Sequence, residues 1–195
     1  EHLVEFSSKG VVRGATRARV LLPGSFNPLH EGHEALLASA AAMRPGREVA
    51  FELSVRNADK GCLPKEQVLA RVQQFVKEGS PPVVCTDAPL YVAKARLLPN
   101  TTFVVGMDTA QRLVMPRYYL NGSTSAMVAA LAEIKMLKCD FLVAGRLVKD
   151  TGEFEELDRL EVPEGLEGLF HPMPNFRNDM SSTFLRERGE GPEQA

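Results

Sequence analysis

The feature that most constrains this chain is a repeated alternation. Short apolar runs of strand-forming residues are each followed by a stretch with helical spacing, at least four times over. Val20 to Leu22 closes on Pro23-Gly24-Ser25, and Glu34 to Met43 is an Ala/Leu-rich helix stopped by Pro45-Gly46. Val49 to Val55 reads as a second strand. Pro64 to Lys77 follows as a helix, with Val68, Leu69, Val72, Phe75 and Val76 in one stripe. Val83 to Cys85, a short helix over Tyr91 to Leu98, Thr101 to Val105, a helix over Ser125 to Lys138, and Phe141 to Ala144 continue the pattern. Continuous apolar strands joined through helices imply an α/β fold, a doubly wound parallel sheet covered on both faces. Asp150 to Glu167 reads as loop and short helix, and Phe170 to Asn178, with Pro172 and Pro174, as extended or irregular.

The first 18 residues read as a polar leader or linker, residues 19–188 as the domain and 189–195 as a polar tail. With 195 residues the chain can bury a full core without disulfides. Cys62, Cys85 and Cys139 are too far apart for a C-x-x-C site, and reduced, buried thiols in an intracellular, cytoplasmic protein are expected. No apolar run approaches the roughly 20 residues of a membrane span. Lys plus Arg (23) nearly cancels Asp plus Glu (25), which argues against a whole-surface grip on nucleic acid or membrane. The helix faces show no sharp partner patch, so an oligomer stays open. The chain begins with Glu1 rather than Met, as a segment of a longer protein would.

In such sheets chemistry sits at the carboxyl ends of the strands. There the sequence places Gly24-Ser25-Phe26-Asn27-Pro28-Leu29-His30-Glu31-Gly32-His33, between the first strand and the first helix. His30 and His33 are three apart and can face one side of a helix start. Free backbone N–H groups and partial positive charge there favour phosphate. Gly32 clears space between the imidazoles, and Gly24 and Ser25 make the turn. Two imidazoles donating N–H bonds to a triphosphate fit this pattern; the competing readings are two structural histidines or a metal pair.

This string resembles the T/H-x-G-H signature of the nucleotidylyltransferase superfamily, in its nicotinamide/nicotinate mononucleotide adenylyltransferase branch. Met180-Ser181-Ser182-Thr183-Phe184-Leu185-Arg186 is similar to that family's I-S-S-T-x-x-R segment, and the likeness runs from about Val20 to Arg188. The resemblance implies a Rossmann-like fold. It implies a catalytic set of His30, His33, Lys60 and Arg186. ATP would be bound by Gly24, Ser25, Phe26, Asn27, Gly32, Gly106, Asp108, Arg146, Ser181, Ser182 and Thr183. Gly106-Met107-Asp108 resembles a G-x-D whose carboxylate holds a ribose hydroxyl. Lys60 resembles a phosphate-binding lysine, with a solvated lysine as its competing reading. Mg²⁺ would come with ATP, with no metal ligand from the protein. Phe51 to Arg71 resembles a plant and fungal subgroup sometimes fused to a CinA-like region, which makes such a domain a possible fused partner.

The branch usually stacks a Trp on the pyridine ring, and this chain has none. Tyr118 and Tyr119, past Asp108, are the aromatic candidates for the acceptor, with Arg71 a weaker one; helix-end packing and a solvated helix face compete with these roles. The implied reaction is attack of a mononucleotide phosphate on the α-phosphate of ATP, releasing pyrophosphate. The nucleophile is already an anion near pH 7, so positioning and charge neutralisation suffice. The alternatives are AMP or CMP transfer to another phosphate ester of the phosphopantetheine kind, a regulatory nucleotide-binding module with little turnover, and a plain interaction domain.

Overall fold

The computed structural model describes residues 3–14, 19–57, 61–147, 153–174 and 176. Its strands are β1 (Leu3–Ser7), β2 (Gly10–Arg13), β3 (Arg19–Pro23), β4 (Glu48–Ser54), β5 (Arg56–Asn57), β6 (Gly61–Cys62), β7 (Val83–Thr86), β8 (Thr102–Gly106), β9 (Asp140–Ala144), β10 (Arg146–Leu147), β11 (Phe154–Glu155) and β12 (Phe170–Met173). Its α-helices are α1 (Glu31–Met43), α2 (Lys65–Val72), α3 (Tyr91–Leu97), α4 (Met107–Leu113) and α5 (Thr124–Met136).

Eight strands form one sheet in the order β12-β9-β8-β3-β4-β7-β1-β2. The six from β12 to β7 are parallel to their neighbours, and the β1–β2 hairpin adds to β7 antiparallel. Numbered in chain order, the parallel strands run 3-2-1-4-5-6, the doubly wound Rossmann-like arrangement. Strand order reverses between β3 and β8, where a ligand crevice is expected at the carboxyl edge.

Alternation along the strands feeds two cores. In β4, Phe51 and Leu53 pack with Leu37 and Ala40 of α1, with Val72 at the end of α2 and with Phe75 just past it. Ala50 belongs to the opposite face, with Ala95 of α3 and Met127, Leu131 and Ile134 of α5. Each fully buried Phe or Leu contributes on the order of 1.5–3 kcal/mol. The α3 face also carries a buried ion pair: Lys94 Nζ donates to both Glu52 oxygens at 2.7 and 2.8 Å, and Thr86 Oγ1 donates to Glu52 Oε1 at 2.5 Å.

Two stretches differ from, or go beyond, their sequence reading. Residues 3–13, expected as leader or linker, form the β1–β2 hairpin. Leu3 is buried in the core, and Glu5 receives a 2.5 Å hydrogen bond from buried Arg19. Phe170–Met173, expected as extended or irregular, is extended and forms the sixth parallel strand; at the sheet edge Pro172 costs less ladder pairing than it would in a central strand. The predicted stripe of the second helix also splits: Val72 and Phe75 are buried, whereas Leu69 and Val76 are exposed. The cysteines are free, with Cys85 and Cys139 buried as expected and Cys62 exposed on β6. No helix among the described residues is long and apolar enough to cross a membrane.

Candidate active site

The β3–α1 loop is built around an inward-turned ring. Phe26 has a left-handed backbone (φ 46°) and is fully buried. Its ring meets Phe51 and Phe75 edge-on at 5.2 Å and His33 at 5.1 Å. Gly24 makes room for it: a Cβ there would lie 2.7 Å from two Phe26 ring carbons. The Gly24 N–H donates to the Glu52 carbonyl at 2.9 Å, which carries the β3–β4 pairing into the loop.

Residues from the α2 segment fasten the loop from behind. Gln74 accepts the Leu29 N–H at 2.8 Å and donates its amide to the Phe26 carbonyl at 2.9 Å. Arg71 is buried and donates to the Ser25 carbonyl at 3.2 Å. Its placement is therefore that of a loop support. Gln74 was not singled out in the sequence; a polar residue beside buried Phe75 was its only signal. Asn27 is buried, Ser25 is exposed, and buried Gly32 lies in the first turn of α1.

His30 caps α1 and His33 occupies its first turn. The two imidazoles stack, with centroids 3.7 Å apart and planes 26° from parallel. The His30 backbone N–H donates to His33 Nδ1 at 3.3 Å, which leaves the proton of neutral His33 on Nε2. Burial, with a smaller effect from neighbouring His30, lowers the His33 pKa to about 4. Burial also lowers that of His30, partly offset by Glu34. At pH 7 both rings are neutral, and each offers one N–H donor. Among the described residues neither ring nitrogen of His30 makes a well-formed hydrogen bond, although both are shielded from solvent and the His30 side chain faces the His33 N–H in a capping-box arrangement. Orphaned buried groups of this kind call for an explanation, and an incoming ligand is one.

Gly106 and Asp108 stand at the carboxyl end of β8, beside that of β3. Arg146 follows β9, and its Nη1 donates to Asp108 Oδ1. The structure thus brings together two residues that the sequence placed 38 positions apart. It adds two more that the sequence did not reveal: Arg146 Nε donates to Glu155 at 3.2 Å, and Gln111 donates to the same carboxylate oxygen at 3.4 Å. Glu155 sits on β11, which pairs with β10, and Phe154 of that ribbon packs against Gly145.

Tyr119 is half-buried against the core. Its hydroxyl donates to the Leu113 carbonyl at 2.7 Å, and burial raises its pKa to about 12. Tyr118 is exposed, with the Arg117 guanidinium 5.0 Å over its ring. Lys60, Ser181, Ser182, Thr183 and Arg186 lie outside the described residues. Among the described residues no three His, Cys, Asp or Glu side chains gather where they could hold a metal ion. The chain matches no protein-family model and no curated protein.

Proposed function

We propose that this chain is an adenylyltransferase that moves AMP from ATP to the phosphate of a mononucleotide, with nicotinamide or nicotinate mononucleotide as acceptor. One observation carries the reading: two stacked, neutral imidazoles lie at the N-terminus of α1, just past β3 where the strand order reverses, and among the described residues the His30 ring nitrogens make no well-formed hydrogen bond. Each neutral imidazole still carries one N–H, which can donate to phosphate oxygens that are already ionised.

In this mechanism the His30 and His33 N–H groups and the α1 N-terminus hold the triphosphate and stabilise charge as pyrophosphate departs. A phosphate oxygen of the acceptor forms the new P–O bond to the α-phosphorus, and the bond to the bridging oxygen breaks. Asp108 accepts from ribose hydroxyls, and Arg146 lies beside it to meet phosphate. Lys60 and Arg186 supply neutralising positive charge, and the Ser181–Thr183 hydroxyls donate hydrogen bonds to the phosphates. Mg²⁺ enters as part of the MgATP substrate, bound by phosphate oxygens and water. An intracellular, cytoplasmic setting suits these substrates.

The test is pyrophosphate release from ATP with the two mononucleotides side by side, and with phosphopantetheine and CTP as competing substrates. Release with a pyridine mononucleotide, lowered at least tenfold by His33→Ala in a folded protein, is expected. Unchanged turnover in that variant, or release only with another acceptor, overturns the assignment.

A further inference from the structure

The Asp108–Arg146 pair poses a problem for the proposed function, on which this inference rests. A ribose can bind Asp108 only by displacing the guanidinium now bonded to it. Three side chains share that guanidinium's surroundings, and their exposures differ in order. Asp108 is the most open at 57%, Arg146 is 39% exposed, and Glu155 is 29% exposed. Glu155 is also held by Gln111 of α4. The carboxylate that a ligand can reach is therefore Asp108, and the one fixed in the fold is Glu155.

We infer that Glu155 is a positioning residue: it anchors Arg146 through Nε while nucleotide binding exchanges the Asp108 end of the pair. Arginine suits this because its guanidinium offers five donors in a rigid fork. Nε stays on Glu155, and the Nη1 hydrogen released from Asp108 becomes available to a phosphate oxygen. Asp108 in turn accepts a ribose hydroxyl. Asp108 and Arg146 each exchange one partner for another, Glu155 keeps its own, and none of the three is left unpaired. Without Glu155, Arg146 keeps only Asp108 among its described partners, so once the nucleotide breaks that pair it must also order a loose guanidinium. That added cost weakens nucleotide binding and does not touch the bond-making step.

The experiment compares E155A, E155Q, R146A and E155A/R146A with the wild-type protein, measuring ATP binding by calorimetry, KM and kcat by pyrophosphate release, and thermal stability. E155A should raise the ATP Kd and KM about fivefold, with kcat within twofold and the melting temperature unchanged. E155Q, which keeps an acceptor for Nε, should show a smaller rise. In the R146A background, removing Glu155 should add nothing, because its effect runs through Arg146. Wild-type-like KM in E155A overturns the inference while leaving the proposed function intact. Tighter ATP binding in both E155A and E155Q also overturns it, since Glu155 would then act only by repelling the ligand. A wild-type protein that neither binds ATP nor releases pyrophosphate overturns the proposed function and the inference with it.

Discussion

Gly24→Ala tests the construction of the β3–α1 loop at its tightest point. The new Cβ would stand 2.7 Å from Phe26 Cε1 and Cζ and 3.3 Å from Cδ1. Ordinary contact begins near 3.4 Å, so the ring must retreat by about 0.7 Å. It has nowhere to go. Phe51, Phe75 and His33 surround it edge-on, and Gln74 holds its carbonyl. Overpacking of this kind costs about 1–3 kcal/mol. Relief of unfolded-chain entropy by Gly→Ala would stabilise by only about 0.4–1 kcal/mol, so the net sign reports the clash. For a chain of this size the full overpacking cost corresponds to a melting temperature about 2–12 °C lower. Urea denaturation of G24A, F26L and the double variant gives the coupling directly. The double variant should recover at least about 1 kcal/mol relative to the sum of the singles. A G24A protein as stable as wild type, or strict additivity with F26L, refutes the packing argument.

Burial of His33 makes stability pH-dependent. The unfolded chain takes up its proton near pH 6.5 and the folded chain only near 4, so stability is full above pH 6.5 and falls as pH drops toward 4. The loss reaches up to about 3 kcal/mol, and His33→Gln should flatten this part of the acid profile; equal slopes would contradict the burial. Lys94→Met leaves Glu52 as an unpaired buried carboxylate and should destabilise by about 3–5 kcal/mol in denaturant melts, partly recovered by adding Glu52→Gln; no loss would mean the pair is not buried. Gln74→Leu removes both hydrogen bonds from the β3–α1 loop and should cost about 1–3 kcal/mol, with turnover falling as the imidazoles lose their fixed position; turnover and stability like wild type would exclude a support role.

What the sequence made legible was what local pattern encodes. Apolar runs such as Phe141–Ala144 are buried whichever strand lies beside them, and Gly24, His30 and His33 sit within one ten-residue turn. The unread parts depend on partners distant in the chain. Leu3–Ser7 is too short to declare itself a strand until β7 offers an edge. Pro172 argues against a strand until its edge position is known. Gln74 and Glu155 are ordinary polar residues in a helical segment and a ribbon. Only the fold brings one against the Phe26 carbonyl and the other against Arg146. Tyr119 reads as a ligand-facing aromatic or a packing residue from sequence alone, and its bond to the Leu113 carbonyl shows it engaged in packing.

Two half-buried, neutral imidazoles are proposed to donate to a polyphosphate, and ¹⁵N NMR of histidine-labelled protein titrated with MgATP reads this at the rings themselves. The His30 and His33 ring-nitrogen signals should move with ATP, and both pKa values should rise in the complex. His171, beside Asp140 near the amino end of β9, should stay unchanged as an internal reference. Signals of His30 and His33 that stay where they were at saturating ATP would mean that neither imidazole meets the polyphosphate.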